Sequence, residues 1–474
     1  MKNTYKTWLI FFLLFSIPFI VGLPSQAATR DIRVGILSGQ ASFSIGSKGA
    51  ITVIDKGGKS YQFGRNINAV QSGPGNLLIN GKPLSLPVKL FSKSHMVINK
   101  HPYRGYFQII NSGKGLSLVN ILPVEDYLRG VLKMEVNPSW PSEMLKSQAI
   151  ISRTYALKHI GRHASQGFDV CNSSHCQVYR GINAEDPVLD KAIKATHGIV
   201  VMYGKTFALT PFHSDSGGAT ADVSTVWGGK IPYLKGAKEP VPYTSPYSGW
   251  KVDLTADQIQ RGLQKNGHNV GEVRSVEIMG KDPFGRINTV KISGSKGDLI
   301  LKSNLFRIAV GADHLKSTFF NMTSGKANET AKGSSDIRID RTTLPAPMLS
   351  FVDPEDPELN PDEEKLLTVL TQQGYFSSEE IISMLLDPSV KKSFLIKAIE
   401  RGNKTGSPKG SKGTSSKTST SSPSKAGVFS FTGKGWGHGV GLSQWGARAL
   451  AEKGWTTGNI LEHYFPGTSL KKIY

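Results

Sequence analysis

The stretch "FTGKGWGHGVGLSQWGARALAEKG" restricts the fold most, because glycine occupies every second position from Gly433 to Gly441. A period of two puts these five glycines on one face of an extended strand. A face without side chains lets a backbone or a ligand come close. Lys434, Trp436, His438 and Val440 fall on the other face. Ser443 then reads as an N-cap, "QWGARALAEK" as a helix and Gly454 as the residue that stops it. The run has no G-x-G-x-x-G register and no Gly-Lys-Ser/Thr after it, so nucleotide binding has no support. Spacing alone leaves open whether His438 is incidental to a close-packed strand or faces a ligand.

The opening "MKNTYKTWLIFFLLFSIPFIVGLPSQAATR" runs from lysines through an apolar stretch to small residues, the order of a secretory signal peptide. Cleavage is expected near Ala27. A retained membrane anchor is the alternative, although the apolar run is rather short for a span. Either way the rest of the chain is expected to be exported, to the periplasm or to the cell wall and extracellular space, with no transmembrane span after cleavage. The formal charge is +21, and losing Lys2 and Lys6 with the leader lowers it by two. Outside the cytoplasm such a charge favours anionic wall polymers or anionic lipid headgroups over nucleic acid. Part of the excess lies in a lysine-rich linker. Cys171 and Cys176 are the only cysteines, which excludes a small disulfide-stapled scaffold.

A chain this long calls for two or three domains, and its patterns predict an α+β fold. Residues 28–120 read as a β-rich module, with "ITVIDKGGKSYQF", "NLLINGKPLSL" and "YFQIINSGKGLSLVN" as short alternating strands joined by Gly-Gly, Asn-Gly and Ser-Gly turns. Residues 121–323 form the first part of a larger domain. There Val124, Tyr127, Leu128 and Val131 recur at helical spacing. Pro138 and Pro141 interrupt before a second helix, with Ser142 as its N-cap and Met144, Leu145, Ala149, Ile150 and Ala156 as its apolar face. Gly204-Lys205-Thr206 reads as a hairpin turn, since the glycine spacing of a phosphate loop is wrong and no helix follows. Residues 324–401 read as an acidic, helical insertion with a capping box at Ser377 and Glu380. Residues 402–426 are a basic Ser/Lys/Gly linker, and residues 427–474 return to the larger domain with the glycine run and a helix.

Three clusters could carry chemistry. Glu135 lies among Val131, Leu132, Met134, Val136 and Trp140. Burial there raises a carboxyl's pKa and keeps a proton available to a glycosidic oxygen; the plain alternative is a glutamate paired with Lys146 or Arg153. "HASQGFDVCNSSHC" offers His163, Cys171, His175 and Cys176, a thiolate and imidazole set able to close around structural zinc. His159 could replace His163, and a Cys171–Cys176 disulfide is the rival for an exported chain. "FHSDSGGAT" places His213, Ser214 and Ser216 in a polar loop suited to a hydroxyl-rich substrate, and it lacks the G-x-S-x-G elbow of a serine nucleophile.

These blocks, in order, resemble the stage II sporulation protein D (SpoIID/LytB) family. The resemblance rests on "LPVEDYLRGVLKMEVNPSWPSEMLKSQAIISRTYALKH", "FDVCNSSHCQVYRG", "FHSDSGGAT" and "GKGWGHGVGLSQWGARALAEKG" with "ILEHYFPGT". It covers roughly residues 33–468 apart from the insertion. Leu442 stands where the family usually has methionine, and Phe465 where a second tyrosine is common. The resemblance implies a mixed β-rich catalytic domain with flanking helices. It implies a peptidoglycan lytic transglycosylase that cuts MurNAc–GlcNAc bonds, preferably in glycan strands freed of stem peptides by an amidase. Carried over, the catalytic acid is Glu135, Lys146 and Arg153 are the supporting basic positions, and the zinc region is Cys171, His175 and Cys176, with His163 as fourth ligand. One carboxyl suffices, because the muramyl 6-hydroxyl attacks its own C1 to leave a 1,6-anhydro end. Ordinary glycosidases need two. The glycine face is then expected to pack near the Glu135 helix, with Trp436 and His438 lining a sugar groove. His213, Ser214, Ser216 and Gln444 complete the substrate-binding candidates. The alternative function is a catalytically weak wall-binding protein that modifies an N-acetylmuramoyl-L-alanine amidase.

Overall fold

The computed structural model describes residues 30–324, 359, 363, 367, 391–396 and 427–474. The expected leader, insertion helices with their Ser377 cap, and linker lie outside the described residues, those few positions excepted. Among the described residues the fold is α+β.

The N-terminal alternation folds into two sheets of seven and six strands. Hairpins close at Asn80-Gly81 (φ 49° and 82°) and Asn99-Lys100 (φ 50° and 68°), the paired left-handed residues that a two-residue turn requires. In the seven-stranded sheet, Leu116–Pro123 lies between Asp31–Gln40 and Tyr106–Asn111. Its first seven residues are all buried, so both of its faces are covered, and it runs directly into the first helix.

Among the described residues outside the expected insertion, the helices are α1 (Val124–Arg129), α2 (Leu132–Glu135), α3 (Ser142–Lys158), α4 (Pro187–Ala195), α5 (Val223–Val226), α6 (Ala256–Lys265), α7 (Ser303–Val310), α8 (Gln444–Glu452) and α9 (Thr457–Tyr464). Val124, Tyr127, Leu128 and Val131 are all fully buried, as their spacing predicts. Helix α3 is buried nearly all round. Ser147, Ala149, Ser152 and Ala156 along it let neighbours approach closely. Pro141 rather than Ser142 occupies its N-cap position (φ −54°, ψ 140°) and gives no side-chain cap, so Ser142 is the first helical residue. The Gly204 turn joins strands Ile199–Tyr203 and Thr206–Phe207 as a hairpin.

One apolar core runs from Ile32 in the β-module through α1, α3 and α4 to Phe465. Leu254, Ile259, Leu263, Val290, Phe306, Phe320 and Phe431 belong to a second core, which the expected 121–323 boundary does not separate. Strand Phe320–Ser324 pairs antiparallel with Val428–Gly433, so the strands on either side of the expected insertion are hydrogen-bonded neighbours.

The glycine run is not the bare-faced strand its period suggests. Strand Val428–Gly433 ends where the alternation begins. Gly435, Gly437, Gly439 and Gly441 all have positive φ, at 81°, 117°, 88° and 73°. The period of two therefore marks a backbone that swings left-handed at alternate residues. This backbone threads against residues 211–221: Trp436 bridges Asp215, Val440 bridges Ala221, and Leu442–Ser443 pairs in parallel with Phe212–His213. A Cβ at Gly437 would lie 2.7 Å from the Cβ of His213. The close approach is thus to this loop and not to the Glu135 helix.

Candidate active site and metal centre

Glu135 closes α2, a single turn that stops because Val136 is extended (φ −137°, ψ 153°) and Pro138 follows. Val131, Leu132 and Val136 anchor the turn in the core, whereas Met134 is 46% exposed. The Glu135 side chain is half-buried, and burial alone pushes its carboxyl up to about 7. Gln444, the first residue of α8, donates from Nε2 to the Glu135 carbonyl oxygen at 3.1 Å and to Gln148 Oε1 at 3.3 Å. Ser443 caps α8 by accepting from the Gly446 N–H at 3.2 Å, as its position predicts. Trp140 and Trp445 meet edge to face beside this junction, with ring centroids 5.3 Å apart. The Arg448 guanidinium lies 4.8 Å from the Trp445 ring and 5.7 Å from that of Trp140. Sequence reasoning singled out neither Trp445 nor Arg448, because their relation to Glu135 exists only once α8 docks.

The two basic candidates do not pair with Glu135. Lys146 forms an ion pair with Glu143 at 2.7 Å. Glu143 also accepts from the Thr457 N–H at 2.8 Å and from the Thr457 hydroxyl at 2.7 Å, tying the start of α9 to α3. The Lys146 ammonium, then burial opposing it, then Thr457 act on this carboxyl, and the net effect holds it down at about 2. Arg153 is fully buried and bidentate to Glu125 at 2.7 and 2.8 Å. It also donates to the Ile199 carbonyl at 3.0 Å. Its guanidinium is therefore spent on holding α1, α3 and the strand after α4 together.

The expected substrate loop is largely closed to solvent. His213 is 4% exposed, with Nδ1 3.2 Å from the Val440 carbonyl, and Ser216 is fully buried. Both are interior groups in this structure. Ser214 accepts the Trp445 N–H at its carbonyl, at 3.0 Å. Trp436 and His438 have different neighbours. Trp436 packs on Tyr247 (4.6 Å) beneath the Lys316 ammonium (4.6 Å), whereas His438 lies against Trp227 (4.8 Å) and His213 (5.5 Å). His438 Nδ1 accepts from the Val440 N–H at 3.0 Å, and burial pushes its imidazole down to about 3.

The loop is held by a network that sequence reasoning missed. The Ser216 hydroxyl donates to Glu239 Oε1 at 2.6 Å, and Tyr464 donates to Glu239 Oε2 at 2.8 Å. Burial lifts the Glu239 carboxyl to about 7, against these two hydrogen bonds. Asp215 accepts from Tyr243 at 2.8 Å and from Ser245. The buried Arg286 donates to the carbonyls of Ala219 (3.0 Å) and Ser216. A cleft of about 520 Å³ opens beside the network, lined in part by Lys238, Glu239, Tyr243 and Lys434. Asp215 and Ser216 lie within "FHSDSGGAT" and Tyr464 within "ILEHYFPGT", whereas Glu239, Tyr243, Ser245 and Arg286 carry no sequence signal.

His163, Cys171, His175 and Cys176 converge, with their ligand atoms all within 4.8 Å of one another. Strand Val170–Cys171 is fixed by parallel pairing with Val34 and Gly35. Cys176 Sγ lies 3.4 Å from His163 Nε2 and 3.6 Å from His175 Nδ1, and Cys171 Sγ lies 3.7 Å from His175 Nδ1. Tetrahedral zinc bonds imply S···N edges of about 3.5 Å, so the donor set fits such an ion. Both cysteines are free thiols. His159 is not in the cluster; its Nδ1 lies 2.8 Å from the Tyr155 carbonyl.

Residues 112–203, which contain Glu135 and the His/Cys cluster, match the family model described as stage II sporulation protein. Residues 242–335, which contain most of the second core, match one described as a domain of unknown function. An uncharacterized protein of Brachyspira hyodysenteriae is 30% identical over 199 residues, covering 42% of this chain and 54% of its own length. The amidase enhancer of Bacillus subtilis is 25% identical over 353 residues, covering 72% of this chain and 40% of its own. Stage II sporulation protein D of Bacillus subtilis is 28% identical over 194 residues, covering 37% and 55%. The chain thus spans about half the length of the curated relatives it matches. Among the described residues no helix is long and apolar enough to cross a membrane. Residues 112–203 thus carry a SpoIID-family domain, and the matched domain with these relatives supports assignment of the chain to the SpoIID/LytB family.

Proposed function

We propose that the chain is an exported peptidoglycan lytic transglycosylase acting on peptide-free glycan strands, with Glu135 as its single acid and base. A cell-wall related role is supported by the family and by the amidase enhancer relative. The observation that carries the enzymatic reading is a half-buried carboxyl, raised to about 7 by burial, on a residue whose own carbonyl is held by Gln444, the chain neighbour of the Trp445 that meets Trp140. The protonated carboxyl gives its proton to the glycosidic oxygen as the C1–O bond breaks. The muramyl 6-hydroxyl then bonds to C1, and its proton returns to the carboxylate. His163, Cys171, His175 and Cys176 would hold a structural zinc; four protein ligands close the site, so the ion would contribute to folding. Purified protein incubated with peptide-free strands should release 1,6-anhydro-muramyl ends detectable by mass spectrometry. Glycan binding without such ends would favour the second reading, a wall-binding modifier of an amidase, for which the match to the amidase enhancer over 72% of this chain speaks.

A further inference from the structure

We infer that Trp140, Trp445 and Arg448 form a subsite for a sugar ring bearing a free carboxylate, the indoles taking the ring and the guanidinium the acid. The inference rests on the proposed glycan substrate and names which form of it is selected. Gln444 and Arg448 stand four positions apart on α8 and so share a face. Gln444 is fixed to the Glu135 carbonyl, so Arg448 stands just over one helical turn, about 6 Å along the axis, from the residue that touches the candidate acid. Trp140 comes from the other chain segment, five positions beyond Glu135 and past Pro138, and its ring meets Trp445.

Both indoles are partly exposed. An aromatic face suits the C–H side of a pyranose while leaving the hydroxyls in water. Arg448 is paired with Glu452 at 2.8 Å, but the two side chains are 33% and 47% exposed. An exposed pair of this kind is weak, so a ligand carboxylate can replace Glu452. The planar guanidinium, held over the indoles, presents a fork that matches a carboxylate's two oxygens. In muramic acid the lactyl group ends in such a carboxylate only when no stem peptide is attached. With the peptide present it is a neutral, bulkier amide. The subsite therefore selects peptide-free strands by charge.

The test measures binding by calorimetry in a Glu135→Gln background, where turnover does not interfere. The ligands are peptide-free glycan strands and the same strands with their lactyl carboxyls converted to methylamides. The free acid should bind about tenfold more tightly, the scale of one charge-assisted hydrogen-bonded pair. Arg448→Gln should bring the free acid down to the affinity of the methylamide and leave the methylamide unchanged. Arg448→Lys, which keeps the charge and loses the fork, should discriminate to an intermediate degree, and Trp445→Ala should weaken both ligands alike. Equal affinities in the Glu135→Gln protein, or full discrimination in Arg448→Gln, would overturn the subsite. Loss of the subsite with anhydro ends still produced by the parent protein leaves the enzymatic reading standing. Discrimination in a protein that makes no such ends supports the subsite and removes the enzyme.

Discussion

The Gln444 side chain donates to the carbonyl oxygen of Glu135 at 3.1 Å, joining residues 309 positions apart. The candidate acid and the C-terminal helix α8 are thereby one unit, although the insertion and linker lie between them in the chain.

Replacing Gln444 by Ala removes the bonds to Glu135 and Gln148 and leaves the interior Gln148 amide short of a partner. The loss should cost about 1–2 kcal/mol of stability. Turnover should fall by roughly tenfold, because the acid loses its fixed position. Denaturant unfolding and the yield of anhydro ends measure the two effects separately.

The pH dependence follows from Glu135, whose carboxyl is raised from 4.5 to about 7 in the folded chain. Its contribution to stability is complete below 4.5, where the group is protonated in both states, and is lost as pH rises through about 7. Glu239 is shifted the same way and acts in the same window. Turnover, which starts from the protonated acid, should fall above pH 7. Glu135→Gln should unfold at a higher temperature than wild type at pH 8 and at the same temperature at pH 4. Thermal scans at both pH values check this.

Arg153→Met leaves the part-buried Glu125 without its guanidinium, its remaining partners being the Tyr474 hydroxyl (2.7 Å) and the Gly198 N–H (3.3 Å). An uncompensated buried charge of this kind costs about 3–5 kcal/mol. Adding Glu125→Gln should restore part of the loss. Urea unfolding of the single and double variants gives the comparison.

Metal analysis of the protein should find one zinc per chain. Chelation, or Cys171→Ser, should lower the unfolding free energy by on the order of 3 kcal/mol for an ion present at roughly a hundredfold its Kd. Unchanged unfolding after complete chelation would contradict a structural zinc.

Local features were legible in the chain, and features made by distant partners were not. The greasy setting of Glu135 can be read because Val131, Leu132 and Val136 are its chain neighbours. The same holds for the Ser443 cap, whose partner is three positions away. In sequence Arg153 reads as a partner of the acid, because its true partner, Glu125, is 28 positions upstream and unremarkable. Ser216 read as a substrate contact because nothing near it announces Glu239. The glycine run misleads for a different reason: a period of two fits a bare strand face and a backbone with positive φ at alternate residues equally well. Only the contacts with residues 211–221 decide between them.

The central claim is that the proton on Glu135 cuts the glycan. Wild type and Glu135→Gln, both shown to be folded, should be given the same peptide-free strands and their anhydro-muramyl ends counted by mass spectrometry. Wild type should give abundant ends and the variant at least a hundredfold fewer, roughly the share of an acid catalyst. Equal rates from the two proteins would contradict it.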